Sequence, residues 1–307
     1  MSPDLLRPHG SLADGRDPVL LTPQDAGWTH CGLRVLTFDP GRSRSVDTAG
    51  AEMVVLPLSG AVTVECEGER FELAGRESVF SRVTDFAYLP CDSTAVLTSP
   101  TGGELALCTA ATSRKLTPKY GPVDGIEIET RGAGPATRQV TNFLSPTVWD
   151  HADKLMCVEL LTPDGNWSSY PPHKHDASPE CEVNNEEIYY FRIGKAGTTD
   201  YCADGFGMHR TYTGRGDPGE PFEIDTSVHD GDVFLIPRGY HGPCIAAPGY
   251  TMYYLNVLAG PGGERSMAFC DDPTHHWVRD EWEGMATDPR CPMTNANGVI
   301  GESGGRP

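Results

Sequence analysis

The sequence predicts an all-β protein of two tandem β-sandwich or jelly-roll barrel domains with little helix. Of its 307 residues, 35 are glycine and 26 are proline, which excludes a long-helix protein or a coiled coil. Short apolar segments of about five to seven residues recur at intervals of about 8–12 residues, as strands do in sandwiches and barrels. The order of these segments is similar in the two halves of the chain, which predicts two related domains.

The first half, residues 1–145, contains the apolar segments of an N-terminal domain. After a polar leader, its predicted strands lie within 53–73 and at 78–83, 86–90, 94–99 and 104–112. Residues 121–144 are rich in glycine and threonine, and we expect them to form a connection and an exchanged edge strand. Its histidines, His9 and His30, precede the strands, so we expect no metal site in this domain.

The second half, residues 146–285, shows the same pattern of short apolar segments. Its predicted strands lie at 155–162, 167–176, 186–193, 208–213, 221–227, 231–237 and 250–260. Residues 272–284 are the best helix candidate, and residues 286–307 form a Gly-, Asn- and Pro-rich tail that we expect to be irregular. A glycine followed shortly by Val-Phe stands at 75–80 and again at 231–234, which supports the relation between the halves.

The charge balance excludes several classes of partner. Lys and Arg total 24 against 43 Asp and Glu, a net charge of −19 at pH 7. Because phosphate backbones and anionic lipids repel such a chain, we expect no nucleic-acid and no membrane partner. The sequence shows no signal-peptide pattern and no long apolar stretch, which predicts a cytoplasmic protein. The ten cysteines form no CxxC pair, and we expect reduced thiols.

Histidine placement indicates a metal centre in the second domain. His173 and His175 are two residues apart, so both imidazoles project from the same face of a strand. Glu187 stands at the head of the next predicted strand, and His241 follows the strand at 231–237. Three imidazoles and one carboxylate suit one divalent metal ion, such as Zn, Mn or Fe, and leave positions open for a substrate.

The residues around these ligands resemble the paired motifs of the cupin superfamily. The glycines and the proline of those motifs stand at Gly165, Gly194, Gly231, Pro237 and Gly239. Glu180 lies at the more usual distance from the histidine pair and competes as the carboxylate ligand. Glu187 is preferred, because it alone is followed by six residues and a glycine and begins a strand.

Longer segments resemble the 5-deoxy-glucuronate isomerase family of myo-inositol catabolism, which is related to the 5-keto-4-deoxyuronate isomerases. They are PPHKHD (171–176), EEIYYFR (186–192), the run at 231–261 and DDPTHHWV (271–278), with RQVTNFL (138–144) in the first half. The resemblance implies a bicupin fold with a metal in the second cupin only. It also implies an aldose–ketose isomerase that converts 5-deoxy-D-glucuronate, a small anionic sugar, to 5-dehydro-2-deoxy-D-gluconate.

Such an isomerisation moves a hydrogen between C1 and C2 and needs a proton-transfer group beside the metal. The candidates near the ligands are Tyr189, Lys174, Asp176 and Tyr240. The sequence singles out none of them. The substrate carboxylate requires a cation, and Arg192 and Arg238 flank the motif strands, with Lys174 and Arg210 next in line.

Two other functions fit the same scaffold: a non-enzymatic sugar-binding bicupin and a metal-dependent cupin dioxygenase. The intact ligand set disfavours the first, and the second requires redox-active iron and consumption of O₂. A GxGxxG pattern at 214–219 contains Pro218 and opens no helix, so it favours a hairpin loop over a dinucleotide site. Exposed sheet edges and the segment 121–144 predict a homo-oligomer.

Overall fold

The computed structural model describes residues 4–300, in which most regular structure is β-strand. The N-terminal part has one short helix, α1 (Pro23–Ala26), and a 3-10 segment at Val123–Gly125. Its strands are β1 (Leu6–Arg7), β2 (Val19–Leu21), β3 (Cys31–Phe38), β4 (Arg42–Asp47), β5 (Ala51–Cys66), β6 (Glu69–Arg76), β7 (Phe86–Leu89), β8 (Thr94–Ser99), β9 (Gly103–Ala111) and β10 (Lys119–Gly121).

The remaining strands are β11 (Glu127–Arg131), β12 (Arg138–Asn142), β13 (Met156–Thr162), β14 (Trp167–Ser168), β15 (His173–Lys174), β16 (Glu186–Lys195), β17 (Phe206–Tyr212), β18 (Glu223–His229), β19 (Val233–Ile236), β20 (Tyr240–Ala246), β21 (Tyr250–Ala259), β22 (Cys270–Asp271), β23 (Thr294–Asn295) and β24 (Gly298–Val299). Two further 3-10 segments lie at Gly134–Ala136 and His276–Trp282. The helix predicted at 272–284 is therefore a short 3-10 segment. Within residues 4–300, no helix is long and apolar enough to cross a membrane.

The long strand β5 joins the two layers of the N-terminal domain. Its first part pairs with β7 and β9, and its last part pairs with β6 and β8. An apolar cluster fills the space between the layers and includes Leu36, Val55, Val62 and Leu97. The predicted N-terminal sandwich is confirmed, and it carries no histidine in its strands.

The two sheets of the C-terminal domain face each other across the candidate site. One has the strand order β1-β19-β16-β21-β13-β12-β11, and the other has the order β18-β17-β20-β15-β22 with β14 on β20. The central strands β16 and β21 are buried on both faces. Alternate residues face the interior of this domain, while those between them, such as Ile188 and Tyr190, join a core shared with the N-terminal domain.

Strands from the first half complete this sheet at both edges. On one side β1 pairs with β19, with Leu6 opposite Phe234. On the other, β11 and β12 extend the sheet from β13, with Val140 opposite Leu160. The predicted boundary at residue 145 is therefore corrected, because residues 127–142 belong to the C-terminal sheet. The exchanged edge strand expected within 121–144 is present, and it pairs within the same chain.

Buried ion pairs connect the two domains behind this sheet. Arg76 on β6 pairs with Glu159 on β13, and both side chains are almost fully buried. The Tyr253 hydroxyl also donates to Glu159 at 2.7 Å. Arg192 on β16 pairs with Glu104 on β9 at 2.6 Å. The outer face of the sheet is thus held by charges as well as by apolar packing.

The described part of the C-terminal tail has no helix or strand over residues 286–293, and a short regular element follows. There β23 and β24 form a small hairpin. The Gln139 side-chain oxygen accepts hydrogen bonds from the backbone N–H groups of Met293 and Thr294 at 2.7 and 2.9 Å. The tail is therefore fixed to β12, while residues 301–307 lie outside the described residues.

One pair of cysteines differs from the expectation of ten reduced thiols. Cys181 and Cys270 form a disulfide, and the other eight cysteines are free. The pairing of β22 with β15 places Cys270 opposite Lys174, which brings it beside the loop that carries Cys181. The bridge therefore joins two segments that flank the histidine pair.

Candidate metal centre

The four predicted ligands come together from two facing sheets. His173 on β15 lies directly opposite His241 on β20. His175 follows two residues after His173, and Glu187 lies at the start of β16 in the other sheet. Because residues two apart in extended chain share a face, both histidines of the pair point toward the interior.

A carboxylate oxygen of Glu187 lies at the centre of this cluster. Its Oε2 atom is 2.9 Å from Nε2 of His175 and 3.2 Å from Nε2 of His241. One donor atom each of His175, Glu187 and His241 lie within 4.8 Å of one another, close enough to bind one ion. His173 borders this triad, and its ring centroid is 4.5 Å from that of His241.

The other ring nitrogen of each histidine is held by a backbone carbonyl. The Nδ1 atoms of His173, His175 and His241 lie 3.4, 3.2 and 3.3 Å from the carbonyl oxygens of Pro171, Asn185 and Gly239. With Nδ1–H donating to these carbonyls, Nε2 keeps its lone pair. Such outer partners orient the imidazoles of metal sites.

Glu187 is held by an outer partner of its own. Asn256 on β21 donates from Nδ2 to Glu187 Oε1 at 2.8 Å, and both side chains are buried. The amide therefore holds Oε1, and Oε2 remains directed at the imidazoles. The two residues lie on neighbouring strands, since Glu187 is opposite Leu258, two residues from Asn256.

The donor set fits a divalent metal ion. Nε2 of His241 is buried and makes no hydrogen bond within the described chain, so its lone pair is free to ligate. Burial, and then His241 and His175, lower the pKa of His173 well below its ordinary value. Burial opposes ionisation of Glu187, but the adjacent side chains of His175 and His241 outweigh burial and lower the pKa of its carboxyl. A neutral imidazole and an ionised carboxylate are the forms that bind metal, and these shifts favour them at His173 and Glu187.

Glu180, the competing ligand, lies outside this cluster. Its carboxylate pairs with Lys174 Nζ at 2.7 Å, and 49% of its side chain is exposed. The structure therefore places Glu187, and not Glu180, beside the imidazoles.

A cavity of about 590 Å³ opens beside the cluster. This volume is within the range of sites that bind small molecules. Inward-facing residues at alternate positions of five neighbouring strands form one wall: Glu187 and Tyr189 on β16, Tyr254, Asn256 and Leu258 on β21, Val158 and Leu160 on β13, Arg138, Val140 and Asn142 on β12, and Glu127, Glu129 and Arg131 on β11. Residues 265–269 and Arg279 close another side.

Of the four predicted proton-transfer residues, Tyr189 lines the cavity. It lies two positions after Glu187 on the same face of β16. Its hydroxyl is 3.4 Å from Ser169 Oγ, and its ring centroid is 6.0 Å from that of His241. Burial, together with the charge of Glu187, raises the pKa of Tyr189 well above its ordinary value, so its hydroxyl is protonated.

The other three candidates lie away from the cavity. Lys174 alternates with the two histidines, so it points to the opposite side, where Nζ contacts Asp217 Oδ1 at 2.5 Å. Asp176 accepts a 2.8 Å hydrogen bond from the backbone N–H of Gly239. The Tyr240 ring lies 4.6 Å from Lys174 Nζ, on that same outer side. These three predictions are corrected: the residues build an outer polar cluster.

Neither predicted carboxylate-binding arginine reaches the cavity. Arg192 is an odd number of positions from Glu187, so it faces the N-terminal domain, where it pairs with Glu104 and with Asp230 at 2.8 Å. Arg238 donates to the carbonyl oxygens of Pro218, at 2.6 Å, and Glu220. Both assignments are corrected for this reason. The reserve candidate Arg210 pairs with Glu223 on the exposed β17–β18 hairpin.

Sequence reasoning missed the arginines that do line the cavity. They are Arg131, Arg138, Arg265 and Arg279. A signal for one of them is the alternation of charged and uncharged residues in EIETR (127–131), which places Arg131 on a charged face, whereas RQVTN (138–142) is polar on both faces. The sequence pattern does not show which sheet these two strands join.

Comparison with known proteins identifies relatives of this chain. The KduI/IolB family profile matches residues 5–278. A protein named 5-deoxy-glucuronate isomerase from Geobacillus thermodenitrificans strain NG80-2 is 36% identical over 285 residues, covering 91% of this chain and 97% of its own length. Another of that name, from Bacillus subtilis strain 168, is 35% identical over 264 residues, covering 84% and 91%.

Solved structures agree with this relation. An IolB-like protein from Salmonella typhimurium LT2 superposes with a TM-score of 0.79 at 30% identity, covering 90% of this chain and 99% of that one. An oxalate decarboxylase from Bacillus subtilis has a TM-score of 0.63 at 10% identity, covering 94% and 88%, a likeness of fold alone. The predicted two-domain cupin fold is confirmed. With the family profile spanning most of its length, the chain belongs to the KduI/IolB family.

Proposed function

We propose that this chain is an aldose–ketose isomerase that converts 5-deoxy-D-glucuronate to 5-dehydro-2-deoxy-D-gluconate with one bound divalent metal ion. The observation that carries the proposal is the buried cluster of His175, Glu187 and His241, bordered by His173, at the wall of a cavity of about 590 Å³. Relatives named 5-deoxy-glucuronate isomerase match 81–91% of this chain at 35–37% identity.

His173, His175, Glu187 and His241 are the residues that would hold the metal. When bound, a divalent ion polarises the sugar carbonyl and its neighbouring hydroxyl and so acidifies the hydrogen on C2. Zn, Mn and Fe all accept imidazole and carboxylate ligands in this number. The buried Asn256 amide keeps Glu187 aimed at the imidazoles in every step.

The reaction is balanced without an oxidant. The C2–H bond breaks and a C1–H bond forms, while O2 loses a proton and O1 gains one. Tyr189 holds a proton at its hydroxyl beside the ligands, where it donates to a sugar oxygen as charge develops there. Val158 and Leu160 line the cavity wall and reduce the water around this proton transfer.

The direct test follows the conversion itself. Purified protein loaded with Mn²⁺ or Zn²⁺ is mixed with 5-deoxy-D-glucuronate, and NMR monitors loss of the aldehyde and appearance of the ketose. Tyr189→Phe should lower kcat by about 10²–10⁴-fold, the usual contribution of one proton-transfer group, with metal content unchanged. Binding of the sugar without conversion would favour the non-enzymatic bicupin, and O₂ consumption would favour the dioxygenase.

Elemental analysis tests the metal ligands. Glu187→Gln, His173→Ala and His241→Ala should each lower bound metal and turnover while the fold persists. Glu180→Gln is the matched control, because Glu180 contacts Lys174 outside the cluster. If Glu180→Gln loses more metal than Glu187→Gln, the assignment of the carboxylate ligand is wrong.

A further inference from the structure

The cavity has an end rich in charged side chains in addition to the metal cluster, where Glu127 and Glu129 lie among three arginines. Arg131, Arg138 and Arg279 all line it, and the charges of Arg131 and Arg279 act on Arg138. Phe269 connects this end to the metal cluster. Its ring centroid lies 4.8 Å from that of His173 and 5.4 Å from the guanidinium carbon of Arg279.

Two of these three arginines are neutralised by carboxylates. Arg131 donates to Glu129 at 2.9 and 2.7 Å. Arg279 donates to both carboxylate oxygens of Asp271, at 2.5 and 2.7 Å. Their charges are therefore balanced inside the protein, which leaves them little to offer an anion.

Arg138 has no such partner. No carboxylate among residues 4–300 forms a salt bridge with Arg138, and 4% of the surface of Arg138 is exposed. Its hydrogen bond runs from Nη1 to the carbonyl oxygen of Ala136 at 3.1 Å, while Nε is buried with no partner in the described structure. A buried charge without a counter-charge is costly, and burial lowers the pKa of Arg138 to about 10.

The backbone makes room for this guanidinium. Gly132 has a φ of +82°, a conformation that side chains rarely adopt. A Cβ at this position would lie 2.2 Å from the carbonyl oxygen of Ala136, which accepts from Arg138, and 2.7 Å from Arg138 Nη1. The β11–β12 connection therefore packs closely around this carbonyl and the guanidinium that it holds.

Arg265, the other cavity arginine without a carboxylate, has a different role. Its guanidinium donates to the carbonyl oxygens of Leu144, Leu155 and Trp149. These three bonds fasten the segment at 265–269 to the linker before β13. Arg138 thus has the more available donors.

We propose that Arg138 binds the carboxylate of the sugar-acid substrate in the cavity beside the metal ligands. The assignment rests on the proposed function for the identity of the sugar. A guanidinium and a carboxylate pair through two parallel hydrogen bonds, and here the substrate itself supplies the missing counter-charge. The C1–C2 end of the sugar is then directed toward His173 and Tyr189.

The test compares Arg138→Met with Arg138→Lys and with Arg210→Met, an arginine outside the cavity, as the control. For Arg138→Met, KM for 5-deoxy-D-glucuronate should rise about 10- to 150-fold, the loss expected for a charge-assisted hydrogen bond, with metal content unchanged. Arg138→Lys should give an intermediate KM, because lysine keeps the positive charge but lacks the two parallel N–H donors of a guanidinium. Against the neutral aldose 5-deoxy-D-glucose, wild type and Arg138→Met should perform equally.

Two further readouts separate binding from structure and from the proposed reaction. Without ligand, Arg138→Met should melt at the same or a higher temperature than wild type, because it removes an unpaired buried charge. Calorimetric titration with D-glucuronate should show the same 10- to 150-fold loss in affinity, whether or not the protein isomerises any sugar. An unchanged KM and affinity in Arg138→Met, an equal loss toward the neutral aldose, or no binding of glucuronate by wild type would each overturn the assignment.

Discussion

Replacing Asn256 by leucine tests how the protein aims Glu187 at its metal. The amide makes one hydrogen bond, from Nδ2 to Glu187 Oε1 at 2.8 Å, and its own Oδ1 is buried without a partner in the described chain. Leucine has nearly the same volume and removes both atoms. Glu187 then keeps its contacts with the imidazoles but loses the group that fixes its other oxygen.

Two independent estimates give the size of the effect. A hydrogen bond to a charged group contributes about 1.5–3 kcal/mol. Loss of an outer partner of a metal ligand typically lowers metal affinity by about 10- to 100-fold, or about 1.4–2.8 kcal/mol. We therefore expect Asn256→Leu to raise the metal Kd by one to two orders of magnitude, measured by competition with a chelator of known affinity.

The melting temperature of the metal-free protein distinguishes this effect from general damage. Because the substitution also removes the unpartnered Oδ1, the apo protein should melt within a few degrees of wild type. Asn142→Leu is the matched control, since Asn142 lies on the same wall and contacts Glu127 and Glu129 but no ligand. A metal Kd unchanged in Asn256→Leu, or equally raised in Asn142→Leu, would refute the positioning role of Asn256.

Three other outcomes follow from the structure. Arg76→Met should leave the charge of Glu159 buried with Tyr253 as its partner, which should lower the free energy of unfolding by about 3–5 kcal/mol and lower Tm. Adding Glu159→Met should recover part of that stability, and a double variant no more stable than Arg76→Met would contradict this. Burial lowers the pKa of His209 to about 3. Between about pH 3 and 6.5 the unfolded chain therefore binds more protons than the folded chain, and stability falls as the pH drops through that window. His209→Leu should shift acid unfolding to lower pH and change the stability little at pH 8. The expected homo-oligomer should give a light-scattering mass above the 33.2 kDa of one chain, and a monomeric mass at micromolar concentration would contradict it.

Local spacing was enough to predict which residues meet at the candidate metal centre, and long-range pairing explains what it missed. His173 and His175 share a face because they are two positions apart, and that rule needs no knowledge of the rest of the fold. The same rule places Lys174 on the opposite face, and odd spacing from Glu187 sends Arg192 to the outer side of the sheet. Arg138 could not be placed, because its strand joins a sheet built mostly from residues that follow it.

The strand exchange makes the metal-binding half dependent on the chain that precedes it. A fragment beginning at residue 146 would lack β1, β11 and β12, three of the seven strands of the sheet that carries Glu187. During synthesis these strands leave the ribosome before the sheet they join has been made, so their pairing with it waits until the residues after 146 have emerged. The two halves of this fold are therefore not separable units. Exchanging one half for that of another protein would remove strands from the sheet that forms the cavity wall.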